Sequence, residues 1–253
     1  MMTMMIRTNR LRRILFSMLF AAAAYSLNAP ATETTLKHQE DQQEEIVFSE
    51  AETLIWMTNQ LETISSPMTL HYDFKKRGAL EKGFDDVVEF IIDKVHDDGM
   101  KSASLKFFTG ERNFNVPPVE RTDVNPILKV YLQGDVYEMN RLTDPEGTSR
   151  ERWRYFQRRI KFALADTAEV EEINFDFAGK QYSGRKVVFR PYVNDPKRNL
   201  FEAFAGKQYE ITISDDLPGY LYKIRTFVPG PEGATIPLVE EELTLVKTEP
   251  AAG

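Results

Sequence analysis

Short runs in which apolar and polar residues strictly alternate recur along this chain, and they restrict its fold more than any other feature. Leu70, Tyr72 and Phe74 alternate with His71, Asp73 and Lys75. Val88, Phe90 and Ile92 repeat the pattern, and Asp98-Gly99 predicts a tight hairpin into Ala103, Leu105 and Phe107. Further along come Ile173/Phe175/Phe177, Val187/Phe189, Tyr209/Ile211/Ile213, Tyr222/Ile224 and Val239 through Val246. A period of two sends every second side chain to the same face, so such strands bury one face and wet the other. About eight strands joined by short turns are expected, in an antiparallel sheet with one face covered.

Helical spacing appears in three places. Ser49-Glu50-Ala51-Glu52 has the form of a capping box, and Leu54, Met57, Leu61 and Ile64 follow before Ser65-Ser66-Pro67 stops the pattern. Asn125 and Pro126 open a second helix carrying Leu128, Leu132, Met139 and Leu142, although Gly134 interrupts the run. After the turn Asp144-Pro145-Glu146-Gly147, Ser149 starts a third, with Trp153, Phe156, Ile160 and Leu164 on one face. The class is α+β: a curved, unclosed, barrel-like antiparallel sheet, an N-terminal helix, and a helical pair inserted between strands three and four.

The ends read differently. Arg7, Arg10, Arg12 and Arg13, with no acid among them, precede an apolar run from Ile14 to Ala24. That predicts a signal peptide over residues 1–24, cleaved after Ala24 or, in the second A-x-A site, after Ala31. The run is too short to span a bilayer, so the mature chain is expected in the periplasm or secreted, and not membrane-spanning. Residues 25–47 read as a flexible acidic leader, 48–247 as one domain and 248–253 as a tail. The chain has no cysteine. Thiol nucleophiles, thiolate metal sites and disulfides are thereby excluded, and a domain of ~200 residues can bury a core without such staples. With 32 basic and 39 acidic residues the net charge is −7. Removing the four arginines of residues 1–24 leaves 28 against 39, or −11. Such a surface suits nucleic acid poorly, and none is expected as a partner.

Catalytic signatures are missing from the sequence. It contains no dinucleotide fingerprint, phosphate loop, zinc-helix pair or nucleophile elbow. Of the three histidines, His38 falls in the leader, His71 on the wet face of a strand, and His96 beside a hairpin where His96-Asp97-Asp98 reads as turn chemistry. Asp85-Asp86, Asp215-Asp216 and Glu240-Glu241-Glu242 read as acidic surface. The hexapeptide FAGKQY occurs at Phe177–Tyr182 and again at Phe204–Tyr209, but the flanks differ, so it reads as a strand-entry turn used twice. No enzyme, metal or cofactor is expected.

Two features invite a functional reading. Tyr72, Phe74, Phe90, Phe107, Phe175, Tyr209 and Tyr222 give the apolar sheet face an aromatic lining. Under a helical cover this is either a cavity for a hydrophobic ligand or an ordinary packed core. Arg150, Arg154, Arg158 and Lys161 recur at helical spacing opposite Trp153, Phe156 and Ile160. That basic stripe would meet an acidic partner or anionic headgroups, or be a solvated face.

The order of elements resembles the periplasmic lipoprotein carriers of the LolA/LolB type. It runs from a signal peptide and an amphipathic segment (Leu54 to Ile64) to the aromatic-alternating strand LHYDF and a meander with helices inserted midway. The resemblance implies an unclosed barrel with a helical lid over an apolar cavity and a lipid or acylated ligand; an envelope protein partner is a separate expectation. The competing expectation is an accessory or assembly factor acting through protein–protein contacts over a closed core.

Overall fold

In the computed structural model, residues 47–144, 146 and 152–251 are described. The signal peptide, both cleavage positions, leader residues 25–46, His38, Pro145, Gly147, Ser149 and Arg150 lie outside them.

The alternating runs form long strands. β1 (Met68–Arg77), β2 (Phe84–Val95) and β3 (Lys101–Phe107) make the first meander. β6 (Glu169–Phe177), β7 (Lys180–Phe189), β8 (Gln208–Ile213), β9 (Leu221–Val228) and β10 (Val239–Pro250) make the second. β10 pairs antiparallel with β1 and joins the two meanders into one sheet. Two short strands, β4 (Phe114–Asn115) and β5 (Val119–Thr122), both pair with β3. They lie where the sequence suggested only a loop, so the sheet has ten strands and the helical pair follows the fifth. The order is β4-β3-β2-β1-β10-β9-β8-β7-β6, with β5 off this path on β3. The ends of that order do not pair, and the sheet is not closed.

Register places Leu70 beside Phe90 and Tyr72 beside Val88, all buried, while His71 pairs with Glu89 on the other face. Onto the buried face pack α2 (Pro126–Thr143) and α3 (Arg152–Asp166). α2 contributes Ile127, Leu128, Leu132, Val136 and Met139; α3 contributes Phe156, Ile160, Ala163 and Leu164. Asn125 caps α2 by accepting from the Ile127 N–H at 3.0 Å. The helix continues through Gly134, because its backbone ladder needs no side chain there. Among the described residues no helix is long and apolar enough to cross a membrane.

The N-terminal helix is shorter than its spacing suggested. α1 (Glu50–Glu52) has its capping box, runs into one π turn at Thr53–Met57, and stops at Thr58 with ψ 142°. The Thr58 hydroxyl donates to the Thr53 carbonyl, and Asn59 Oδ1 accepts from the Leu61 N–H. These local side-chain bonds compete with the helical ladder. Leu61 and Ile64 are buried from a turn instead. The two FAGKQY copies also differ in backbone. The first is a hairpin with Ala178 and Gly179 at φ 51° and 76°, the mirror-image turn that suits strand twist. The second leaves a 3₁₀ turn, Glu202–Phe204, with Ala205 at φ −60°.

Candidate functional site

The ends of β1–β3 and the middle of α2 border an open groove of about 470 Å³. Its floor is aromatic. Phe74 comes from β1, Phe84 from the start of β2 and Phe107 from the end of β3. Phe108 joins them because its backbone is left-handed, at φ 67°, which turns its ring to the same side as Phe107. The Phe108 ring centroid lies 4.7 Å from Phe74, 4.6 Å from Phe107 and 5.9 Å from Phe84. Above them α2 presents Val130, Tyr131, Gly134, Asp135, Glu138 and Arg141.

One rim of the groove is a charged clamp between α2 and the sheet. Lys76 Nζ lies 2.7 Å from Glu138, 3.1 Å from Glu241 and 3.7 Å from Glu81. Arg141 binds Glu138 at 2.7 Å and Glu81 at 2.8 Å. Burial alone would raise the Glu138 carboxyl, but hydrogen bonds from Arg141 and Lys76 outweigh it and bring it down to about 2. Glu138 therefore keeps both cations well into acid. Burial would lower the Lys76 ammonium, yet the Glu241 and Glu138 charges leave it raised.

Deeper in, Lys207 pairs with Asp135, whose other oxygen accepts from the Tyr209 hydroxyl at 2.5 Å. Tyr192 and Tyr209 exchange a hydroxyl contact at 3.2 Å, and Tyr131 donates to Glu241 at 3.2 Å. Burial, then the Asp135 charge, pushes the Tyr209 phenol well above its ordinary range. It stays a neutral donor.

The sequence candidates separate into three places. Phe74 and Phe107 line the groove. Tyr72, Phe90 and Tyr209 are wholly buried in the core, with the Tyr72 hydroxyl donating to the Leu221 carbonyl at 3.0 Å. Phe175 and Tyr222 stack at 4.1 Å, half-buried, on the opposite face, where Phe175 also stacks on Tyr182. Tyr222 reaches that face at the irregularity between β8 and β9, beside Thr212 and Ile213. Phe175 covers Gly184: a Cβ there would meet Phe175 Cε1 at 2.9 Å and the Ile213 carbonyl oxygen at 2.3 Å.

Sequence reasoning missed Phe84, Phe108, Val130 and the clamp. Phe84 shares the parity of Val88 and Phe90, so its signal was present. Two acids read as surface are also corrected. Asp86 has a side chain only 2 % exposed, and Glu241 is 11 % exposed within the clamp. Among the described residues no cluster of three or more histidines and carboxylates could hold a metal.

A second depression, of about 550 Å³, is polar and lies over β6–β7, lined by Glu172, Asn174, Ser183, Arg185 and Asp215 among others. It lacks an aromatic wall. The basic stripe is solvent-facing: Arg154, Arg158 and Lys161 are exposed while Phe156 and Ile160 are buried beneath, and Trp153 packs on Tyr137 at 5.6 Å. Replacing Arg158 and Lys161 with Glu is expected to change stability by no more than about 0.5 kcal/mol, since both side chains are solvated. Flotation with anionic vesicles at low salt should then recover mutant and wild type equally. A mutant that stays behind while the wild type floats would give this face an anionic partner.

No family model matches the chain, and no curated protein matches it either. Among solved structures it is similar to a chain of the Pseudomonas aeruginosa MucA/MucB complex, at 11% identity and a TM-score of 0.35. That match covers 81% of this chain and 58% of the other, so the chain spans little more than half of that relative. It is similar to the Mycobacterium tuberculosis lipoprotein LppX at 10% identity and TM-score 0.31, over 81% of this chain and 99% of that one. A LolA superfamily protein from Nitrosomonas europaea matches at 7% identity and TM-score 0.22, over 82% and 96%. At TM-scores this low these likenesses support no statement about ligand or partner.

Proposed function

We propose that this protein is a non-enzymatic, exported binding or carrier protein whose hydrophobic or acylated ligand lies in the groove between β1–β3 and α2. The observation that carries this reading is the groove itself: four phenylalanine rings converge on about 470 Å³ of open space. That volume falls in the ~300–1,000 Å³ range of small-ligand sites. Each methylene buried against such a wall contributes about 0.8 kcal/mol, so half a dozen supply about 5 kcal/mol before the ordering costs of binding. The groove's carboxylates favour binding over catalysis, because cations and tyrosine hydroxyls already hold them. The arginine-rich start and apolar run of residues 1–24 support a site of action outside the cytoplasm.

A neutral apolar probe, N-phenyl-1-naphthylamine, should bind the folded protein and be displaced by acyl chains. Phe107→Ala should weaken the probe while costing less than the ~3–5 kcal/mol of a fully packed phenylalanine, since Phe107 lines the groove. A full-sized loss of stability together with no probe binding by the wild type would mean a closed core and end the carrier reading.

A further inference from the structure

We propose that the groove's ligand is an anionic amphiphile and that Arg112 receives its headgroup, an inference that rests on the carrier reading. The charges around the groove are unequal in their commitments. Lys76 and Arg141 are each bound to two or more carboxylates within 3.7 Å. Arg112 is not. Among the described residues its guanidinium comes no nearer to a carboxylate than 4.0 Å, at Asp86 Oδ2, too far for a hydrogen bond. Its side chain is 54 % exposed and its guanidinium carbon sits 4.4 Å from the centroid of Phe84. It therefore stands on the aromatic floor at the groove's edge, where the head of a chain lying along Phe74, Phe107 and Phe108 would emerge.

The local fold holds it there. Asp86 Oδ1 accepts from the Thr109 N–H, the Thr109 hydroxyl and the Val87 N–H, each at 2.9 Å. That buried carboxylate ties down the turn Gly110–Arg112, which follows the left-handed Phe108. Its second oxygen is buried and accepts no hydrogen bond. It draws the guanidinium toward the floor without using up donors. A guanidinium has five of them in a planar fork, matched to a carboxylate or a phosphate. A loose, half-exposed ion pair adds little stability, and stacking on Phe84 uses the face of the guanidinium and leaves its edge donors open.

The test is displacement of N-phenyl-1-naphthylamine by oleate, by oleoyl lysophosphatidate and by the neutral oleyl alcohol. For the wild type one of the anions should displace the probe at a concentration about tenfold or more below that of the alcohol, the scale of one charge-assisted pair. Oleate in the lead points to a free carboxylate, lysophosphatidate to a phosphate headgroup. In Arg112→Gln the anion-to-alcohol ratio should fall to about one. In Arg112→Lys, which keeps the charge and loses the fork, it should be intermediate, and this variant serves if the glutamine protein fails to fold. Circular dichroism checks folding. No anion preference in the wild type, or an undiminished one in Arg112→Gln, overturns the assignment and leaves the carrier reading standing. If neither probe nor competitors bind the wild type, the carrier reading falls, and this inference with it.

Discussion

Lys207→Met should destabilise the folded protein by about 3–5 kcal/mol, the cost of stranding a buried carboxylate when its partner is removed. The side chains of Lys207 and Asp135 are only 4 % and 1 % exposed. With the ammonium gone, Asp135 keeps one donor, the Tyr209 hydroxyl, and no compensating charge. Removing both charges in Asp135→Leu/Lys207→Met should restore most of the loss, because a well-packed apolar pair often equals a buried ion pair. Urea denaturation of the three proteins measures this. A single mutant within about 1 kcal/mol of wild type would mean that water reaches Asp135, and that α2 is not pinned at its midpoint. The consequence reaches the groove, since Asp135 lies on the α2 wall, next to Gly134. The same bond that anchors the helix fixes the height of the groove's roof.

Much of the sheet was legible because a strand's period of two is written directly into the residues. Leu70, Tyr72 and Phe74 could not alternate with His71, Asp73 and Lys75 and serve a helix equally well. What escaped were features set by one backbone angle or by distant pairing. Alternation assigns Phe108 to the wet face, and only its left-handed φ brings it to the groove beside Phe107. Tyr222 fails the same way, since an irregularity of register shifts it to the outer face. The clamp joins Lys76 to Glu138 and Glu241, residues far apart in sequence, so no local pattern marks it.

The repeated hexapeptide shows how far local sequence goes. In both copies the lysine lies over the tyrosine two residues on, Lys180 over Tyr182 at 4.5 Å and Lys207 over Tyr209 at 5.4 Å. In the first copy strand geometry produces that pairing, because residues i and i+2 of β7 share a face, whereas Lys207 stands just before β8. Their surroundings then diverge. Lys180 stays exposed, while Lys207 is buried against Asp135 beneath α2. Identical residues thus give one surface contact and one buried anchor, and only the packing partner distinguishes them.

Gly134→Phe should sharply weaken probe binding while the fold is kept. Glycine within a helix costs about 1 kcal/mol relative to alanine, so its presence in the middle of α2 calls for a reason. Packing does not supply one: a Cβ built at Gly134 meets nothing within 4 Å. The residue lines the groove, and the missing side chain keeps that space open. Gly134→Ala should accordingly raise stability by about 0.5–1 kcal/mol, through the helix and the more restricted unfolded chain. Phenylalanine at the same place should project into the groove toward the aromatic floor and exclude a chain. We expect probe affinity to drop at least about tenfold, equivalent to about 1.4 kcal/mol. Circular dichroism should remain that of the wild type. Fluorescence titration of the three proteins, read beside their thermal unfolding, decides the matter. Wild-type affinity in a folded Gly134→Phe protein would show that the ligand does not lie under α2, and the groove would lose its claim to be the site.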